Sequence, residues 1–136
     1  MKKKTLVFSV IVTAVLVVIL LGGYAFFNSV FPKAEPMKQL EISLLESISL
    51  HDNSDNEIEI SDKELQKLID CINGAVATRT MSVNDYPDVR PYYVLEIKTA
   101  ERVIRYMIYE RNGIAYAEIP YEGVYKIDRE AIDIVK

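Results

Sequence analysis

Cysteine and histidine occur once each, tryptophan is missing, and all twenty acidic residues lie after residue 32. The lone Cys71 excludes an internal disulfide, so the fold must rest on its hydrophobic core. It lies at the margin of an apolar stripe, where a buried inert thiol is favoured over a cross-link between chains. The lone His51, without cysteines at metal spacing, excludes a His-pair or Cys-cluster zinc site. The five glycines, Gly22, Gly23, Gly74, Gly113 and Gly123, form no phosphate-cradling loop. Asp52 and Ser54 flank His51, but in a flexible turn that is a poor place to hold a nucleophile and its base. Carboxylates are plentiful, so a pair of them discriminates nothing. No catalytic set, metal site or cofactor is read from the sequence. The expectation is a protein that is not an enzyme, with a small hydrolase as the weakest alternative.

What the chain does have is a long apolar run. Leu6 to Phe27 carries no charge and follows Lys2, Lys3 and Lys4. At helical rise these 22 residues cover about 33 Å, matching a hydrocarbon core of roughly 30 Å. A helix pairs its own backbone groups in lipid, which an isolated strand does not. The lysines predict a cytoplasmic segment 1–5, a transmembrane signal anchor over 6–27 and an outward-facing remainder. The alternative is a signal peptide with release of the rest, but Gly23-Tyr24-Ala25 is a poor cleavage site and the run is long for one. Tyr24 also stands where a lipoprotein signal needs cysteine.

Thirteen basic residues against twenty acidic ones follow the run, a net charge of −7. That balance argues against nucleic acid and against direct adhesion to anionic lipid. Pro32 and Pro36 mark 28–37 as a linker. The remaining residues, 38–136, suffice for one domain with one core.

The domain reads as strands, a helix, then a meander. Leu40–His51 alternates as a strand with a bulge near Leu45–Glu46. The polar Asp52–Asn56 turn allows a hairpin with Glu57–Ile60. That turn matches a calcium loop poorly, with Glu57 where glycine is needed and Lys63 where glutamate is needed. Ser61 and Glu64 form a capping box, Leu65, Leu68, Ile69 and Ile72 share one helical face, and Asn73-Gly74 closes the helix. Ala75–Val83 reads as a strand and 84–91 as a loop with two prolines. Strands follow at Tyr92–Thr99, Val103–Glu110, Ile114–Pro120 and Val124–Ile127, with Asn112-Gly113 as a hairpin turn. Asp128 caps a last helical piece. The expected class is α+β, an antiparallel sheet with the capped helix on one face.

Tyrosine is the unusual residue. Eight of nine fall between Tyr86 and Tyr125. Alternation places Tyr106 with Ile104 and Ile108, and Tyr109 with Val103, Arg105 and Met107, so both faces of that strand are partly aromatic. Tyr and Arg favour interfaces, although β-propensity alone also enriches tyrosine here. Candidate binding residues are Tyr86, Tyr92, Arg105, Tyr106, Tyr109, Tyr121 and Tyr125.

The stretch Tyr116-Ala117-Glu118-Ile119-Pro120-Tyr121-Glu122-Gly123-Val124-Tyr125 resembles the Tyr-Ile-Glu-x-Pro-Tyr-x-Gly-Ile-Tyr signature of a family of small exported domains of unknown function from Gram-positive bacteria. Thr80 to Pro87 resembles that family's upstream Asn-Asp-x-Pro segment. Ala117 and Val124 stand where the family has isoleucine. The resemblance implies an extracytoplasmic α+β domain and no known activity. Locally, Pro120 blocks a ladder bond and Gly123 permits a turn, so the motif can be architectural.

The resulting expectation is a membrane-anchored extracytoplasmic module that binds an envelope protein or peptide. The competing one is an accessory subunit acting through 6–27.

Overall fold

The apolar run is helical from end to end. In this computed structural model, residues 2–136 are described, with side chains from residue 7 onward. Met1 and the side chains of Lys2, Lys3 and Lys4, on which the cytoplasmic placement of 1–5 rests, lie outside the described residues. Helix α1 spans Lys2–Val30 and, with the residues up to Pro32, forms one unit by itself. Its Val7–Val30 stretch has a mean hydropathy of 2.7 and none of it is buried. It is long and apolar enough to cross a membrane; a signal sequence has the same character. Inside it, the Thr13 hydroxyl donates back to the Ser9 carbonyl at 2.9 Å, which satisfies a polar group within the helix.

The second unit is Lys33–Lys136. It holds strands β1 (Leu45–Asp52), β2 (Val76–Ala77), β3 (Tyr92–Thr99), β4 (Val103–Arg111), β5 (Ile114–Ile119) and β6 (Gly123–Lys126). Helices α2 (Asp62–Asn73) and α3 (Glu130–Val135) complete it. The sheet order is β1-β3-β4-β5-β6-β2, and every pairing is antiparallel. The α+β class and the four-strand meander are as the pattern predicts.

Helix α2 follows its sequence signals closely. The Ser61 N–H donates to the Glu64 carboxylate at 2.8 Å, and the Glu64 N–H reaches back to Ser61 Oγ at 3.4 Å. Leu68, Ile69, Cys71 and Ile72 are buried from one face. Desolvation there pushes the Cys71 thiol pKa up, as expected of an inert buried cysteine. The α2 and α3 side chains join Leu50, Leu95, Ile97, Ile104, Tyr106, Ile108, Ala115 and Ala117 in one core. Both helices therefore cover the same sheet face.

Four local expectations change. First, the hairpin of β1 with Glu57–Ile60 is short: it holds one antiparallel His51–Glu57 bridge, with the Asp52 N–H donating to the Asn56 carbonyl at 2.9 Å and the Ile58 N–H to the Leu50 carbonyl at 2.8 Å, and the full-length partner of β1 is β3. The Asp52 carboxylate closes the turn, accepting from the N–H groups of Ser54 at 2.7 Å and Asn56 at 3.0 Å and from the Asn56 side-chain amide at 2.8 Å. The Asn56 side-chain hydrogen bond first, then the two backbone ones, hold its pKa below the ordinary 3.8. Second, the bulge is real: the β1–β3 register shifts between Leu45 and Ser47, but a short 3₁₀ turn at Ile42–Leu44 replaces the start of the expected strand. Third, the Ala75–Val83 strand shrinks to Val76–Ala77. Fourth, 33–37 is part of the domain, not a free linker. The Ala34 N–H donates to the Thr78 carbonyl at 3.0 Å, and the Tyr125 hydroxyl donates to the Glu35 carbonyl at 2.9 Å.

Candidate functional site

The sheet face away from the helices carries the second, smaller apolar cluster. Strand register puts Tyr92, Val94, Met107, Tyr109, Tyr116, Glu118 and Val124 on this back face. Tyr92, Met107 and Tyr109 form its buried centre. A bare sheet face of this kind needs a cover, and residues 78–91 supply it without regular structure. This strap starts beside β6, where Thr78 N–H donates to Val124 O at 3.1 Å and Val124 N–H donates to Thr80 O at 3.2 Å. It then runs across the face, burying Ser82 and Pro87 and packing Val89 into the cluster. Tyr86 lies over Tyr92 with ring centroids 6.0 Å apart, and Asp88 pairs with Arg111.

A carboxylate sits at the middle of this contact. Glu118 is only 7 % exposed. Its Oε1 accepts from the Ser82 hydroxyl at 2.7 Å and its Oε2 from the Tyr109 hydroxyl at 3.2 Å. Ser82 Oγ also accepts from the Tyr121 N–H at 3.2 Å. Burial first, then the nearby Glu118 charge and its hydrogen bond, push the Tyr109 pKa far above the ordinary tyrosine value.

These contacts give the 116–125 motif its meaning. Glu118 and Tyr121 hold the strap. Tyr125 holds the chain at Glu35, and Gly123 makes room for it: a Cβ on Gly123 would lie 2.5 Å from the Ala34 Cβ. The motif is a clasp for two segments that lie outside the sheet.

Beside the strap opens a cleft of about 610 Å³, lined among others by Asp85, Tyr86, Val103, Arg105, Met107 and Pro120. That volume falls within the usual range for ligand sites, roughly 300–1,000 Å³. Arg105 is bound to Glu96 at 2.8 Å, an exposed pair that raises the arginine pKa through the hydrogen bond and the charge. Arg102 faces Glu122 at 3.4 Å. The strap and the β5–β6 turn leave Met81, Val83, Tyr86 and Tyr121 exposed, as β4 leaves Val103, and of these Tyr86 and Val103 line the cleft. The Tyr121 hydroxyl donates to Asp85 at 2.9 Å, which ties the turn to the strap. Tyr121 does this from φ 62, a left-handed conformation that bulky side chains rarely adopt.

The seven candidate residues therefore separate. Tyr86, Arg105 and Tyr121 are exposed at the cleft and strap. Tyr106 and Tyr125 are buried among the helix-face core residues. Tyr92 and Tyr109 are buried under the strap. The parity assignment for β4 holds, but both of its faces are covered, so the tyrosines form no continuous exposed stripe. Replacing Tyr106 or Tyr109 by alanine removes core packing, at a cost on the order of 3–5 kcal/mol, and so does not report on a contact. Sequence reasoning missed Glu118, Ser82, Met81 and Val83. A signal for Glu118 was present: alternation places it beside Ile114 and Tyr116, on a face that β4 marks as apolar.

No curated protein and no solved structure matches the chain. Residues 31–126 match the model of DUF5301, described as a domain of unknown function (DUF5300), and the chain belongs to that family.

Proposed function

We propose that this is a non-catalytic binding module of the cell envelope, anchored by α1, with its C-terminal domain outside the membrane. The partner is an envelope protein or peptide. The observation that carries this reading is the cleft with exposed Tyr86 and Val103 on its wall and exposed Tyr121 bonded to its Asp85, together with the exposed Met81 and Val83 of the strap. Large apolar and aromatic side chains gathered at a concave surface are the usual make-up of a contact site. The backbone of Tyr121 supports it further. A left-handed non-glycine residue costs about 1–2 kcal/mol, and such strain concentrates at functional positions.

The test is cross-linking capture from native membranes with the natural chain and with Tyr86→Ala/Tyr121→Ala. Both side chains are exposed and outside the two buried clusters, and an unchanged circular dichroism spectrum and unfolding midpoint check that the variant keeps its fold. A defined envelope partner that disappears with the variant supports the reading; a partner that persists overturns the assignment of the patch. A second reading rests on α1 itself, whose Val7–Val30 side chains are unburied. In it the helix pairs with a membrane complex and the domain is accessory.

A further inference from the structure

We propose that the partner's contact segment is an extended peptide that adds to the sheet as a short strand, in the gap beside Val103–Arg105 where β5 stops short of the end of β4. This rests on the binding-module reading and names the form the partner takes at that same cleft.

The gap follows from the register. The Thr99 N–H donates to the Arg102 carbonyl at 2.9 Å, so the backbone groups of Arg102 face β3. Backbone groups of an antiparallel strand alternate sides, and those of Val103 and Arg105 therefore point the other way, toward β5. At Met107 that direction is used, because Met107 pairs with Glu118, and there the β4–β5 pairing ends. The chain after β5 supplies no replacement. Pro120 carries no N–H, the Tyr121 N–H goes to Ser82 Oγ at 3.2 Å, and the Glu122 N–H goes to the Ile119 carbonyl at 3.0 Å. Among the described residues no backbone hydrogen bond joins Val103 or Arg105 to this side. Their N–H and C=O groups form an open edge at strand spacing, and an extended main chain is what matches it.

Room for the added strand lies on both faces of the sheet. Val103, Arg105 and Met107 line the 610 Å³ cleft together with Tyr86, on the back face. Tyr106 points to the helix face, where with Tyr125 and Met37 it lines a second cleft of about 330 Å³. Arg102, Ile119 and Glu122 line both clefts, so the two meet at the gap. An antiparallel segment places one residue opposite Arg105 and one opposite Val103, and both side chains enter the larger cleft against Tyr86 and Met107. The residue between them sends its side chain into the smaller cleft, against Tyr106. Arg105 and Arg102 are already matched by Glu96 and Glu122. The fitting segment is therefore three extended residues with apolar side chains and no net charge. The Arg102–Glu122 pair spans the gap at 3.4 Å, with both side chains about half exposed, and such a pair holds too weakly to keep a strand out.

The test is an NMR titration of the whole isotope-labelled chain in detergent micelles. The probes are three capped hexapeptides of alternating valine and alanine. One is unmodified, one is N-methylated on its alanines and keeps one strand edge, and one is N-methylated at every residue and keeps none. The first two are expected to shift the Val103 and Arg105 amide signals saturably and to slow their exchange with solvent. The third is expected to bind at least about tenfold more weakly, the scale of losing two hydrogen bonds. Val103→Pro deletes an N–H that faces only the gap, leaves the β3 ladder intact, and should weaken the unmodified peptide severalfold. Arg102→Ala removes the ion pair across the gap and should not weaken binding; a loss would place the contact on Arg102 and overturn the inference. Equal binding of all three peptides overturns it, as do saturable shifts that bypass Val103 and Arg105, or no shifts at all. If Val103→Pro fails to fold, the comparison of the three peptides on the natural chain decides alone. A partner captured through Tyr86 and Tyr121 but indifferent to Val103→Pro overturns this inference and leaves the module. Strand pairing at Val103 and Arg105 without any captured envelope partner does the reverse.

Discussion

Gly123 is where a single methyl group tests the clasp. Its Cβ would overlap the Ala34 Cβ at 2.5 Å, and its φ is not in the left-handed region, so the constraint is steric. Gly123→Ala should destabilise the domain by about 1–3 kcal/mol, the usual cost of overpacking. Ala34→Gly in the same chain should restore most of that loss, because it removes the opposing methyl. Urea unfolding of the two single variants and the double variant checks this, and purely additive losses would show that the chain at Ala34 does not press on Gly123. The tyrosines give a second prediction at this scale. Burial raises Tyr106 from the ordinary 10.0 to about 12 and pushes Tyr109 and Tyr125 up as well. A raised folded-state pKa favours the protonated form, so this stability is complete below pH 10 and falls between pH 10 and 12. Phenolate absorbance should accordingly appear in two steps, the second with unfolding. A single step at the ordinary value would contradict the burial of these rings.

At the scale of elements, α2 offers the cleanest check. Ser61→Ala removes one half of the capping box and should cost about 1 kcal/mol, read as a shift of the denaturation midpoint. Glu64 links the same cap to pH. The Ser61 hydrogen bonds lower its pKa, so the stability it gives is present above the ordinary 4.5 and is lost as pH falls through the depressed value. An unchanged midpoint in Ser61→Ala would mean that tertiary packing alone holds the helix start. This helix was fully legible in the sequence, and so were β3, β4, β5 and their hairpin, because their signals are local: a cap, a 3.6-residue stripe, strict alternation, Asn112-Gly113. The failures share a cause of the opposite kind. Residues 78–83 alternate as well as any strand, yet regular pairing ends at Val76–Ala77 and the last backbone bonds to β6 are those of Thr78 and Thr80 to Val124, because the chain then leaves the sheet edge to cover Met107 and Tyr109. The β1 partner was equally hidden, since pairing with β3 joins segments some forty residues apart. The candidate site fared likewise. Tyr86, Arg105 and Tyr121 were found by residue type, but nothing local tells an exposed tyrosine from a buried one on a sheet with both faces covered.

For the molecule as a whole, the proposed partner has two units to choose between. The helix and the domain are separate units, and each carries unburied apolar side chains. Exposure alone therefore does not choose between them, since a helix long and apolar enough to cross a membrane is unburied for that reason alone. Exchange of 6–27 for an unrelated apolar span of equal length, with Lys2, Lys3 and Lys4 retained, separates the cases. The new span keeps the length and flanking charge that set insertion and orientation, while it replaces every side chain that a membrane partner could recognise. If the domain is the contact, cross-linking should capture the same partner from the exchanged chain with unchanged yield, and Tyr86→Ala/Tyr121→Ala should abolish capture in either background. Capture lost on exchange and indifferent to the two tyrosines would transfer the function to α1. The natural chain tests the cleavage alternative in the same experiment. An anchored product stays with the membrane at full length, whereas a cleaved one appears outside, shortened but still holding the Lys33–Lys136 unit intact.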